Sequence, residues 1–396
     1  MATSLALILL LGMTANYLFS KFKLPGLLGM LLIGVALGPF GLDLLDESLM
    51  MVSSEFRKMA LIVILLRAGL GISRDDLNAI GGVAIRMSFI PGILEGFAVL
   101  GASMMLFNLP FLEAGILGFI IAAVSPAVIV PYMLRYKSEG YGTDKRIPTM
   151  ILAGASVDDV FAITIFSTFL GLSIGGESNV AMKLLGIPVS ILVGISIGII
   201  IGFILVKIFE KYHIRDTKKV MMILGIAIML TALENALKSR IEIAGLLSVM
   251  AIGFILLEKR PHVAKRLSIK LNKIWLFAEI LLFVLVGAQV NVVLAWDAGA
   301  LGLLLIAAGL FARSLGVIIS TIGTNLNRKE RMFSVIAYWP KATVQAAIGA
   351  VPLAMGVANG ELILALAVLS IVVTAPLGAI ALDLTHKRLL VKEPLE

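Results

Sequence analysis

Between Ala2 and Leu384 the chain is a succession of apolar segments, about 13 of them, most near the ~20 residues that a helix needs to cross the hydrocarbon of a bilayer. Inside lipid no water satisfies the backbone, so each spanning segment must hold its own hydrogen bonds and be helical. Hydrophobic residues make up 60% of the chain, above the roughly 45–50% of soluble domains, and lipid is the expected solvent for most of it. The expected fold is an all-α polytopic membrane protein. Its first apolar run, Ala2 to Phe19, has no charged region before it and ends in Ser20 and Lys21 rather than at a small-residue cleavage site, so it reads as a retained span.

The 33 Lys and Arg outnumber the 25 Asp and Glu, yet they sit in short segments between the apolar runs. That placement makes them topology determinants and argues against nucleic acid as a partner. One set of alternate connections holds roughly 24 of them and the other roughly 5, which puts the N-terminus outside and the C-terminus inside. The basic stretch from Glu258 to Lys273 is read as one of these inner loops. With no Cys and three scattered His, no thiolate or imidazole metal site is expected, and no nucleophile with a base is visible. Neither a cofactor nor an enzymatic activity is expected.

An internal repeat organises the chain. Gly26-Leu27-Leu28, followed by Ile33-Gly34, recurs as Gly245-Leu246-Leu247 followed by Ile252-Gly253, and 245 − 26 = 219. At nearly the same offset Glu95 stands opposite Arg313, and the segment at Pro126 opposite the one at Pro340. The copies lie about seven spans apart, so equivalent helices cross in opposite senses, as in the inverted-topology repeats of secondary transporters. The span from Val180 to Phe209 joins the two.

In such folds the site lies near the midplane, where discontinuous helices meet. The fifth span, Phe111 to Leu134, carries Ser125-Pro126-Ala127-Val128-Ile129-Val130-Pro131, and the twelfth, Met332 to Val357, carries Pro340-Lys341-Ala342-Thr343-Val344-Gln345. Each proline lacks an N–H and frees a carbonyl of the preceding turn. Two crossed discontinuous helices are therefore expected, with freed carbonyls and helix ends that can hold a cation.

Five ionisable residues fall near span centres: Glu95, Asp158, Asp159, Arg313 and Lys341. A charge there costs roughly 2.5–3.5 kcal/mol even on the lenient insertion scale, so a use is expected for each. Arg67 and Arg86 lie near inner span ends and can snorkel, and Arg57 and Lys58, at the outer end of the third span, read as interface residues. Asp158 and Asp159 stand about 100° apart around one helix, so one can face a cation path while the other turns to a partner such as Lys341. A proton and a small cation then compete for the same oxygens, which is itself an exchange mechanism. Glu95 and Arg313 are expected to form a buried ion pair that leaves Arg313 unavailable to Asp158. Ionised, the five sum to −3 + 2 = −1, and one sodium ion or one proton brings the site to zero. One-for-one, electroneutral exchange is the expectation.

The segments Ile64-Leu65-Leu66-Arg67-Ala68-Gly69-Leu70, Val124-Ser125-Pro126-Ala127-Val128, Ser156-Val157-Asp158-Asp159 and Trp339-Pro340-Lys341-Ala342-Thr343-Val344-Gln345-Ala346-Ala347 resemble the monovalent cation/proton antiporter superfamily, and within it the bacterial relatives of the mammalian NHA-type exchangers. The resemblance implies the NhaA- and NapA-like fold, a location in the bacterial cytoplasmic membrane, and a homodimer. It assigns residues 1–76 and 213–292 to a dimerisation domain, 175–212 to a linker helix, and 77–174 and 293–396 to a core that moves like an elevator. By position Asp159 would be the principal ion- and proton-binding carboxylate and Asp158 its neighbour. Ser156, and carbonyls near Val124 and Ser125, would be further ion ligands. Arg313 stands where the electrogenic exchangers similar to NhaA and NapA carry a lysine, a departure that argues against two-proton stoichiometry.

The expected substrates are thus sodium or lithium, with protons. Potassium/proton exchange is the first alternative, and a sodium-coupled symporter of an organic anion the second, although a dry aspartate pair disfavours an anion. A cation channel would need a filter, and no filter-like segment is present.

Overall fold

A computed structural model describes residues 1–22, 24–71, 74, 81–174, 180–237 and 245–393; the side chains of some helical residues, Ser156 among them, are outside the described set. The expected span ends at Ile72, Ile80 and Ile241 also fall outside it. Every named element is a helix; one isolated bridge joins Tyr141 to Lys392. Helices α1 (Ala2–Lys21), α2 (Gly26–Leu37), α3 (Glu47–Met51) and α4 (Ser53–Gly69) precede α5 (Gly82–Phe107), α6 (Phe111–Ile121), α7 (Pro126–Ser138) and α8 (Ile147–Ile174). Next come α9 (Val180–Lys211), α10 (Asp216–Leu237), α11 (Gly245–Lys259) and α12 (Pro261–Ala288). The chain finishes with α13 (Val292–Asp297), α14 (Gly299–Ser320), α15 (Arg328–Ala337), α16 (Thr343–Ile348), α17 (Val351–Ala354) and α18 (Gly360–Leu389).

Among the described residues 7 helices are long and apolar enough to cross a membrane, namely α1, α5, α8, α9, α12, α14 and α18. α2, α6 and the stretch from Thr343 to Ala354 are apolar but shorter. Such a set makes the chain a multi-pass membrane protein.

Contacts divide the chain into two compact units. The first comprises Met1–Ser54, Ala79–Ile174 and Ile280–Glu396. Within it α5 lies along α14, α6 and α8, and α18 packs on α15 and α16. The second comprises Glu55–Asn78 and Gly175–Glu279. There α9 lies along α11, where Ser248 donates its hydroxyl to the Gly194 carbonyl at 2.7 Å, and the Arg67 guanidinium covers the Trp275 ring at 5.4 Å.

Two sequence expectations need correction. The basic stretch Glu258–Lys273 is not a loop, because most of it is the first half of α12. Pro261 opens that helix at a position where no N–H is needed, and Ala264, Leu267 and Leu271 recur at helical spacing and are buried. Its charges lie on the other face, where Arg266 reaches Asp216 at 2.8 Å and Arg260 reaches Glu210 at 3.0 Å. Arg57 is not an interface residue either. It is only 1% exposed, since α4 starts at Ser53 and carries Arg57 inside its second turn, while Lys58 does remain outside, paired with Glu55.

Candidate functional site

Pro126 occupies the first turn of α7, where a missing N–H costs nothing, after Ser125 in an extended conformation at φ −92° and ψ 107°. Residues 122–125 thereby interrupt the fifth span between α6 and α7. Pro340 stands within the second interruption, residues 338–342, between α15 and α16.

The two interruptions lie against each other inside the first unit. Ser125 donates its N–H to the Pro340 carbonyl at 2.8 Å, and Thr343 donates its N–H to Ser125 Oγ at 3.4 Å. Helix-terminal carbonyls left free by the break are taken up by side chains from the other half of the chain. Gln345 Nε2 donates to the carbonyls of Ala123 at 2.8 Å and Ile120 at 3.0 Å, and Arg313 Nη1 donates to that of Ala122. Each break is also tied to a long helix further along the chain. Val124 donates its N–H to Asp158 Oδ2 on α8 at 2.9 Å, and Lys341 donates its N–H to Thr374 Oγ1 on α18 at 2.9 Å. Two contacts join residues the same distance apart in sequence: Glu95 with Arg313, and Ser125 with Thr343, both separated by 218 positions.

All five mid-span charges converge on this crossing. Glu95, Arg313 and Lys341 are 0% exposed, Asp158 1% and Asp159 4%. Arg313, on α14, reaches Glu95 Oε2 through Nη1 at 2.6 Å and Asp158 Oδ2 through Nη2 at 2.5 Å. Lys341 Nζ lies 2.5 Å from the same Glu95 oxygen. The expected Glu95–Arg313 pair is present, but the inference drawn from it fails: pairing with Glu95 does not withdraw Arg313 from Asp158. A guanidinium carries donors on both terminal nitrogens in a fixed fork and bridges two carboxylates, which a single ammonium nitrogen cannot do in that geometry. The partner that turns Asp158 aside is accordingly Arg313, and Lys341 goes to Glu95.

Asp159 takes part in none of these bonds. Its Oδ1 is buried without a hydrogen-bond partner among the described residues, as are Asp158 Oδ1, Glu95 Oε1, Tyr338 Oη and Gln345 Oε1. Unsatisfied buried oxygens are rare in folded proteins, and five at one crossing mark a place built for something besides packing. Room is made for them too: a Cβ on Gly92 of α5 would lie 2.8 Å from Asp158 Oδ1. Ser125 sits at the centre of the crossing with its hydroxyl 3.4 Å from that of Thr343, and Val124 serves Asp158 through its N–H. Ser156 lies on α8 two and three residues before the aspartates, its side chain outside the described residues.

Sequence reasoning passed over Tyr338, Thr374 and, as a clamp on freed carbonyls, Gln345. All three are buried polar side chains in apolar text, the only signal that could have singled them out.

A family profile described as "sodium/hydrogen exchanger, transmembrane" matches residues 5–387. The mouse protein named sodium/hydrogen exchanger 9B2 is 33% identical over 408 residues, covering 96% of this chain and 72% of its own length. Human sodium/hydrogen exchanger 9B1 is 31% identical, covering 93% of this chain and 73% of its own. Among solved structures, the sodium proton antiporter MjNhaP1 from Methanocaldococcus jannaschii at pH 8 superimposes with a TM-score of 0.85 over 97% of each chain at 22% identity, a likeness of fold.

Proposed function

The chain belongs to the transmembrane sodium/hydrogen exchanger family, and we propose that it is a secondary transporter exchanging sodium for protons at Asp159. One observation carries the assignment. Of the three buried carboxylates at the crossing, Glu95 and Asp158 are bonded to Arg313 or Lys341, and Asp159 has no cationic partner among the described residues. The surplus of −3 + 2 = −1 therefore rests at Asp159, and a buried charge without a partner is costly. One proton or one sodium ion removes that cost, so the two compete for one place. Asp158 and its Oδ1 complete the oxygen set, with Ser125, Ser156 and the Val124 carbonyl as further ligands; Glu95, Arg313 and Lys341 hold the charge balance.

Because each loaded state is neutral, exchange is one-for-one and electroneutral. The equal 218-residue separation of Glu95–Arg313 and Ser125–Thr343 supports two inverted repeats meeting about a pseudo-two-fold axis, with about 13 spans in all. Alternating access then moves the core, residues 77–174 and 293–396, as an elevator against a homodimeric scaffold of residues 1–76 and 213–292, with 175–212 as the linker. The N-terminus lies outside and the C-terminus in the cytoplasm, in the cytoplasmic membrane.

Proton efflux from proteoliposomes, driven by sodium, lithium and potassium in turn, tests the reading. Sodium and lithium should drive it, an imposed membrane potential should leave the rate unchanged, and Asp159→Asn should abolish it. Full sodium-driven activity in Asp159→Asn would refute the site. A response to potassium alone would favour the potassium exchanger.

A further inference from the structure

Tyr338 directly follows the last residue of α15 and is fully buried. Its ring belongs to an apolar cluster with Ile151, Val317 and Phe333, and the Arg313 guanidinium lies 5.4 Å from the ring centre. The ring is thus well packed, whereas its hydroxyl has no hydrogen-bond partner among the described residues. Leaving a buried hydroxyl unsatisfied is costly, and phenylalanine would fill the same space without that cost. A hydroxyl that no fold contact uses calls for another partner.

Its position says which. A Cβ on Gly154 of α8 would collide with Tyr338 Oη, so the hydroxyl rests against the bare backbone of that residue, with the Met87 side chain also close. Gly154 and Asp158 are four residues apart on α8 and share a helix face. The hydroxyl therefore stands about 6 Å along the helix from the carboxylates, towards the end that carries Lys145 and Arg146.

We propose that the Tyr338 hydroxyl is a further oxygen of the cation's path, the one a sodium ion meets on the inner side of the Asp158–Asp159 pair. The assignment rests on the exchanger reading above. A phenolic oxygen has lone pairs for a small hard cation, and its O–H can rotate to present them as the ion passes. Gly154 is the complementary element, since any larger residue would push the hydroxyl out of line.

Tyr338→Phe removes one atom and keeps the ring under Arg313. In proteoliposomes it should raise the KM for sodium about fivefold or more while kcat changes by less than about threefold. In detergent its Tm in choline chloride should equal or exceed that of the parent, and the rise in Tm on adding sodium should shrink. An unchanged sodium KM beside an active parent overturns the proposal alone. So does a lower Tm in choline or a failure to fold, because either would show that the hydroxyl serves the fold. A parent protein that moves no protons on sodium addition would refute the exchanger reading itself, and this proposal with it.

Discussion

Arg313 Nη2 lies 2.5 Å from Asp158 Oδ2, and this bond makes two adjacent aspartates chemically unlike. Asp158 also accepts the Val124 N–H, so it is held by a cation and by the broken backbone together, while Asp159 Oδ1 has no donor among the described residues. Neighbours in sequence, they differ in their bonds: one carboxylate is tied into the crossing and the other is the proposed place of the ion.

The two aspartates should therefore respond oppositely to removal of charge. Asp158→Ala strands part of the Arg313 guanidinium and the Val124 N–H, a loss of up to about 3–5 kcal/mol for a broken buried pair. Asp159→Asn removes an uncompensated charge and should leave the sodium-free Tm unchanged or raised, with no further rise on adding sodium. Thermal unfolding of both variants with and without sodium checks this, and a sodium-dependent Tm in Asp159→Asn would contradict it.

Arg313→Lys keeps the charge but not the fork. One ammonium cannot hold Glu95, Asp158 and the Ala122 carbonyl from the place where two guanidinium nitrogens do so. Exchange should fall at least about tenfold and Tm should drop, because a partner of the site is left short of a donor. Wild-type rates in this variant would show that Arg313 acts through charge alone.

Competition at one carboxylate has a definite sign with pH. As pH falls the proton-loaded form grows, and the apparent sodium KM should rise, approaching about tenfold per pH unit where that form dominates. At alkaline pH the KM should level off while the supply of protons limits turnover. Sodium KM measured in proteoliposomes across the pH range decides the matter, and a flat profile would mean that proton and cation bind at separate places.

Much of the architecture is legible in local chemistry. Pro126 and Pro340 announce the breaks, since a proline at mid-span frees a carbonyl whatever surrounds it. The five mid-span charges declare themselves by their cost in lipid. Less legible was the start of α12, where a basic run concealed buried Ala264, Leu267 and Leu271 at helical spacing. Arg57 was misplaced because the apolar text alone did not reveal that α4 begins five residues before Lys58.

By itself, then, the sequence determined the solvent, the helical class, the two break points and the set of charges that must meet. Each of these follows from composition, periodicity or a single residue's covalent structure. Only the tertiary structure decided the partners. Arg313 meets Asp158 across 155 positions, Lys341 meets Glu95 across 246, and Tyr338 finds its slot in the absent side chain of Gly154. Long charged side chains can reach several acceptors, so the choice among them depends on how closely the helix backbones approach, and that distance is a property of the packed bundle.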